Sequence, residues 1–190
     1  MVLPEQVEEA LANGEARMKR SGESLERELG GIRTGRASPS LVEHLSVDYY
    51  GTPTPLNQLA TITVPEARLL VIQPWDRQTF RAIERAIQQS DLGLNPSNDG
   101  TVIRLVLAAL TEERRRELVR LVKRKVEEGR VAVRNVRRDV LEKLRDLEKK
   151  KEISEDDLRR AQEQLQKVTD AHIAEMEREG SRKEAEVMEV

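Results

Sequence analysis

Cysteine is absent from the 190 residues, and with it go disulfides, thiolate metal sites and cysteine nucleophiles. Such an absence fits a reducing compartment. Aromatic residues make up only 2% of the chain, too few to assemble a large core around rings. Neither sign of charge dominates: 33 Lys and Arg face 35 Asp and Glu, a formal net charge of −2. That balance excludes binding to nucleic acid through global charge, so any such binding must come from a local concentration of one sign. No run approaches the ~20 apolar residues that a membrane-spanning helix needs. The N-terminal stretch MVLPEQVEEALANGEARMKR carries acids early and no long apolar segment, unlike a secretory or transit peptide. A soluble, cytoplasmic protein is expected. What the chain has in excess is charge, 36% of its residues, a composition that favours long exposed helices.

The apolar pattern changes twice along the chain. Val7, Leu11, Met18, Leu25 and Leu29 recur at spacings of four and seven, predicting a helix from Pro4 to Leu29. Pro4 suits its first turn, where a missing N–H does no harm. Gly30, Gly31 and Gly35 weaken helix propensity, so this element is expected to stop near Thr34. Short β-rich runs then follow at His44–Tyr50, Ala60–Val64, Leu69–Gln73 and Val102–Leu107. The turn-forming segments Gly51–Pro55 and Asn95–Gly100 separate them. One helix interrupts the runs, marked by Phe80, Ile83, Ala86 and Ile87 at helical spacing. Tyr49, Tyr50, Trp75 and Phe80, every aromatic in the protein, lie within this middle segment, which points to a small domain with its own core.

From Thr111 the helical period returns. Thr111 reads as an N-cap, with Glu112 and Glu113 in the first turn where the helix dipole favours acids. Leu118, Val122, Val126, Gly129, Val133, Val136, Val140, Leu144 and Leu147 form the inward stripe. Gly129 costs about 1 kcal/mol against alanine in a helix interior. Ser154, with Asp157 three residues on, restarts a helix with a near capping box. Leu158, Ala161, Leu165, Val168, His172 and Met176 then alternate by three and four, as coiled-coil positions do. Three long amphipathic helices must bury their stripes against one another. The fold class expected is therefore α+β. Residues 1–34 and 110–190 make an antiparallel three-helix bundle, and residues 35–109 an inserted β/α/β domain. The chain crosses between them at Gly35–Arg36 and Ala108–Ala109, where a hinge is expected.

Chemistry concentrates on the second long helix. At 100° per residue, Arg116, Arg120, Arg124, Arg130, Arg134 and Arg138 gather on one side, with Arg137 between that side and the apolar stripe. No acid interrupts the stretch from Arg130 to Arg138, a row about 12 Å long at ~1.5 Å per residue. Guanidinium groups in such a row suit an RNA phosphate backbone, to which arginine donates two hydrogen bonds at once. Spacing alone leaves a solvated charged face open as the alternative. Other motifs carry less. Arg33–Pro39 lacks the Gly-Lys-Ser/Thr ending of a phosphate loop. His44 and His172 stand far apart with no partner ligand, and Ser38 sits in no nucleophile elbow. No catalytic residue, metal ligand or cofactor is expected.

The segments Ile32–Pro39, Tyr49–Leu56, Ser90–Pro96, Leu110–Arg115, Val131–Asp139 and Lys151–Asp157 together resemble the bacterial ribosome recycling factor family. They occur in order and span nearly the whole chain. The resemblance implies an L-shaped, tRNA-like pair of domains and a non-enzymatic, monomeric factor. It implies binding to large-subunit ribosomal RNA and, with elongation factor G and GTP, separation of the subunits after peptide release. It also implies ribosomal contact by Arg134, Arg137 and Arg138, with Arg115 as a further member. Many members of the family carry prolines where this chain has Ala108–Ala109, so a softer second crossing, or an earlier start to the following helix, is expected. A structural coiled-coil protein would also explain three helices, but would leave the β-rich insert and the arginine row without purpose.

Overall fold

A computed structural model describes residues 2–189. Three long helices carry the pattern read above: α1 (Glu5–Gly30), α3 (Glu112–Lys149) and α4 (Glu155–Met188). A shorter helix, α2 (Phe80–Gln89), lies among six strands: β1 (Ser46–Tyr49), β2 (Thr52–Pro55), β3 (Ala60–Glu66), β4 (Leu69–Pro74), β5 (Pro96–Asn98) and β6 (Ile103–Val106). The chain divides into two compact units, one of residues 1–26 with 122–182 and the other of residues 27–121 with 183–190. All three long helices contribute to both.

The first unit is an antiparallel bundle. A Cβ on Gly14 of α1 would meet Val140 of α3, and one on Gly129 of α3 would meet Leu25 of α1, so residue numbers rise on one helix as they fall on the other. Gly180 of α4 faces Val126 of α3, and Met176 faces Gly129, so α4 also runs against α3. The expected α3 stripe is buried at Leu118, Val122, Val126, Val133, Val136, Val140 and Leu144. Gly129 has its reason here, since a Cβ would lie 3.2 Å from Met176 Sδ and 3.4 Å from Leu25 Cδ2. On α4 the expected stripe is buried at Ala161, Leu165 and Met176, but at one position burial falls on the next residue. Thr169 is 2% exposed while Val168 is only half-buried. Thr169 tolerates this because its hydroxyl donates to the Leu165 carbonyl at 2.7 Å.

Both anticipated caps are present. Thr111 Oγ1 accepts from Arg114 N at 3.2 Å, and α3 begins directly after it, with no earlier start. Ser154 Oγ accepts from Asp157 N at 3.1 Å, while Asp157 Oδ2 accepts from Ser154 N at 3.2 Å. α1 stops at Gly30 and not near Thr34. The Gly30–Gly31 pair ends it, and Ile32 turns inward, its N–H donating to the Leu29 carbonyl at 3.1 Å.

The second unit contains an antiparallel sheet of order β3-β4-β6-β5 and a separate β1-β2 hairpin. Leu70 pairs with Leu105 and Ile72 with Ile103, so alternate residues of the central strands share one face. That face packs in one core with Phe80, Ile83 and Ile87 of α2. Two strands fall where turns were expected. β2 carries Pro53 and Pro55, which a two-stranded ribbon tolerates because a free edge needs no N–H. Its turn uses Tyr50 and Gly51 at φ 49° and 84°, the pair of positive angles a two-residue hairpin requires. β5 is three residues long, and its turn to β6 is held by Asp99. The Asp99 carboxyl accepts the N–H groups of Thr101 and Val102 and pairs with Arg104. The Val102 hydrogen bond, then the one from Arg104, holds its pKa far below the ordinary carboxylate range. Trp75 is 65% exposed, with its indole N–H donating to Thr61 Oγ1 at 3.0 Å.

Candidate nucleic-acid interface

α3 presents its arginines because its apolar stripe is committed to the bundle, which turns the opposite face to solvent. Their partners divide them. Arg114 pairs with Glu117 at 2.7 Å and Arg116 with Glu112 at 2.5 Å. Arg130 lies 3.5 Å from Glu127 and 3.4 Å from Glu177 of α4, and Arg134 lies 3.3 Å from Glu127. The stretch that carries no acid of its own is thus partly neutralised by an acid one turn back and by another from α4. Arg120, Arg124, Arg137 and Arg138 have no acidic partner among the described residues. Arg134 and Arg138 are exposed and Arg137 half-buried, and Val131 beside them is 44% exposed.

Arg115 belongs to the other unit and is engaged locally, donating from Nη2 to the Leu110 carbonyl at 3.2 Å. The structure therefore groups Arg134, Arg137 and Arg138 on one stretch of α3 and leaves Arg115 apart from them.

The two chain crossings lie together in the second unit. Ala37 N donates to Ala67 O at 2.7 Å, and Leu107 N donates to Arg68 O at 2.8 Å, so both crossings rest on the β3–β4 turn. Arg33 ties them to each other through Nη2, which donates to the Ala108 carbonyl at 2.5 Å. Burial, followed by the nearby Arg114, lowers the Arg33 pKa. Arg36 pairs with Glu189 at 3.2 Å, and the Glu189 carbonyl lies 3.8 Å from where a Gly35 Cβ would stand. Gly35 has no positive φ, so its place does not require glycine.

One surface escaped the sequence reasoning. α1 and α3 leave a groove of about 500 Å³ between them, walled by Arg17, Arg20, Ser21 and Ser24 of α1 and by Asn135 of α3. Its signal was the i, i+3, i+4, i+7 spacing of those four α1 residues on one helix face. Sequence could not show that this face lies beside α3.

The fold and this surface define an α+β helical-bundle protein with a row of arginines along one long helix, several of them without an acidic partner among the described residues. A family model described as Ribosome recycling factor matches residues 25–188. The ribosome-recycling factor of Thermomicrobium roseum is 59% identical over 184 residues, covering 97% of this chain and all of that protein. That of Roseiflexus sp. (strain RS-1) is 58% identical over 184 residues, with 97% of this chain and all of that one covered. The solution structure of a ribosome recycling factor superimposes with a TM-score of 0.78 at 48% identity, covering 99% of this chain and 100% of that one. A second solved structure reports models for the T. thermophilus ribosome recycling factor and the E. coli elongation factor G bound to the E. coli post-termination complex. Its chain matches with a TM-score of 0.67 at 49% identity, over 96% of this chain and 99% of that one. The chain belongs to the ribosome recycling factor family, and its function is ribosome recycling. Among the described residues, no helix is long and apolar enough to cross a membrane.

Proposed function

We propose that α3 anchors this protein on large-subunit ribosomal RNA and that elongation factor G, with GTP, acts on it there to separate the subunits. The observation that carries the anchor is that Arg137 and Arg138 stand without acidic partners among the described residues, on a helix where Arg130 and Arg134 are paired. An unpaired guanidinium keeps its donors available for phosphate, and release of condensed counterions then drives association. Arg134 joins them once its 3.3 Å contact with Glu127 opens. Arg115 assists from the start of the helix.

The role is mechanical. GTP chemistry belongs to the partner, and the chain itself acts as a monomeric, cytoplasmic factor without a cofactor. Residues 35–109 form the moving body, with Gly35–Arg36 and Ala108–Ala109 as its hinge. Alanine at the second crossing leaves φ free where a proline would fix it, which favours motion there. The experiment is light scattering of post-termination bacterial ribosomes mixed with this protein, elongation factor G and GTP. A fall in scattering only when all are present is the expected result. No fall, and no binding to the large subunit, would overturn the proposal.

A further inference from the structure

Beyond the α3 row, we infer that the groove between α1 and α3 is a second phosphodiester subsite, with Arg20, Ser24 and Asn135 as its ligands. The inference rests on the proposed RNA anchor and extends it to a helix that the arginine motif does not include. Four observations carry it. First, the groove walls carry two arginines and no carboxylate. Asp139, the acid nearest in the chain on the α3 side, is already held by Arg17 at 2.7 Å. Arg17 is thereby fixed as a wall, while Arg20 beside it is exposed and has no acidic partner among the described residues.

Second, the hydroxyl and amide groups suit phosphate oxygens. Ser24 and Asn135 both carry donors, and Ser21 is anchored by its hydroxyl donating to the Arg17 carbonyl at 3.2 Å. Third, Ala132 and Val136 complete the lining with short side chains, and the groove holds about 500 Å³ in all. Fourth, the groove adjoins the arginine row. At 100° per residue, Asn135 lies about 60° round α3 from Arg138, on the flank of the row away from Arg137. A backbone laid along Arg134 and Arg138 therefore meets the groove with its next phosphates. Consecutive phosphates along one strand supply the spaced charges that the row and the groove together display.

The test measures binding of the full chain to large ribosomal subunits by sedimentation across a range of salt concentrations. Arg20 is exposed, so Arg20→Ala is expected to fold normally. It should weaken binding about tenfold and lower the slope of log affinity against log salt by about one. Arg20→Lys should keep the slope while binding more weakly, because lysine retains the charge but not the planar fork. Ser24→Glu, which places a carboxylate in the groove, should weaken binding further than Arg20→Ala. Weakening without a change in slope would assign Arg20 a structural role and overturn the subsite. Unchanged affinity and slope in Arg20→Ala, with Arg137→Ala weakened, would sink the groove and leave the α3 anchor standing. Unchanged binding in both variants would remove the anchor itself, and the groove with it.

Discussion

Replacing Gly14 with alanine should destabilise the bundle even though alanine is the better helix former. A Cβ added there would stand 2.6 Å from Val140 Cγ2, well inside ordinary contact distance. Val140 is 4% exposed, and a β-branched side chain in a helix has essentially one rotamer, so it cannot swing aside. Overpacking of this kind costs about 3 kcal/mol at the upper end of its usual range. The gain in helix propensity returns about 1 kcal/mol. The net loss is therefore about 2 kcal/mol, a fall in Tm of about 4–8 °C for a chain of this size. Val140→Ala alone should cost about 2 kcal/mol through lost methyl contacts. The double variant should be better than the sum. With Cγ2 gone, the atom that remains is Val140 Cβ at 3.7 Å, an ordinary contact. The pair should then lie only about 1 kcal/mol below the parent, a coupling of about 3 kcal/mol. Thermal unfolding followed by far-ultraviolet circular dichroism measures all four corners of the cycle. Additive losses, or a Gly14→Ala variant as stable as the parent, would refute the steric account.

Three further outcomes follow from individual side chains. Arg137→Ala should weaken binding to large subunits by about 1–3 kcal/mol in a sedimentation assay, and unchanged affinity would remove it from the anchor. Glu179→Gln should stabilise the protein at neutral pH, because burial first, then Glu26 and Glu175, raise the Glu179 pKa above its ordinary 4.5. A raised carboxyl penalises the folded state only once it ionises, so the advantage should vanish as pH falls below that ordinary value; an advantage that persists in acid would contradict this origin. Asp157 has the opposite sign: hydrogen bonds from the Ser154 hydroxyl and then the Ser154 N–H lower its pKa. Its stabilising effect should be full above about pH 4 and fade below as the carboxyl protonates. The acid limb of a Tm-against-pH curve should therefore flatten in Asp157→Asn, and an unaltered limb would count against the capping box.

Where one periodicity and one cap decide an element, the sequence was legible. Thr111 and the Ser154–Asp157 pair mark helix starts through bonds only three residues long, and the α3 stripe follows from spacing alone. β2 and β5 were hidden for a physical reason. Pro53, Pro55 and Pro96 read as turn residues, yet each occupies a strand whose register is imposed by its neighbour, β1 in one case and β6 in the other. The partial neutralisation of the arginine row depended on Glu177, which approaches Arg130 only through helix packing. The same holds for the α1 groove: Arg20 and Ser24 gain meaning from Asn135, more than a hundred residues away in the chain. Gly129 read as a cost to its helix, when Met176 and Leu25 press against it, and at Gly14 and Gly180 a valine of α3 likewise stands against the backbone.

The lone tryptophan has a practical consequence. Trp75 follows β4 directly, exposed yet held by its bond to Thr61, so its emission reports the environment of the sheet. Circular dichroism is dominated by the long helices. Following both signals through a single denaturant titration separates the stability of the sheet from that of the helices without any label, and the midpoint of each belongs to a known part of the chain.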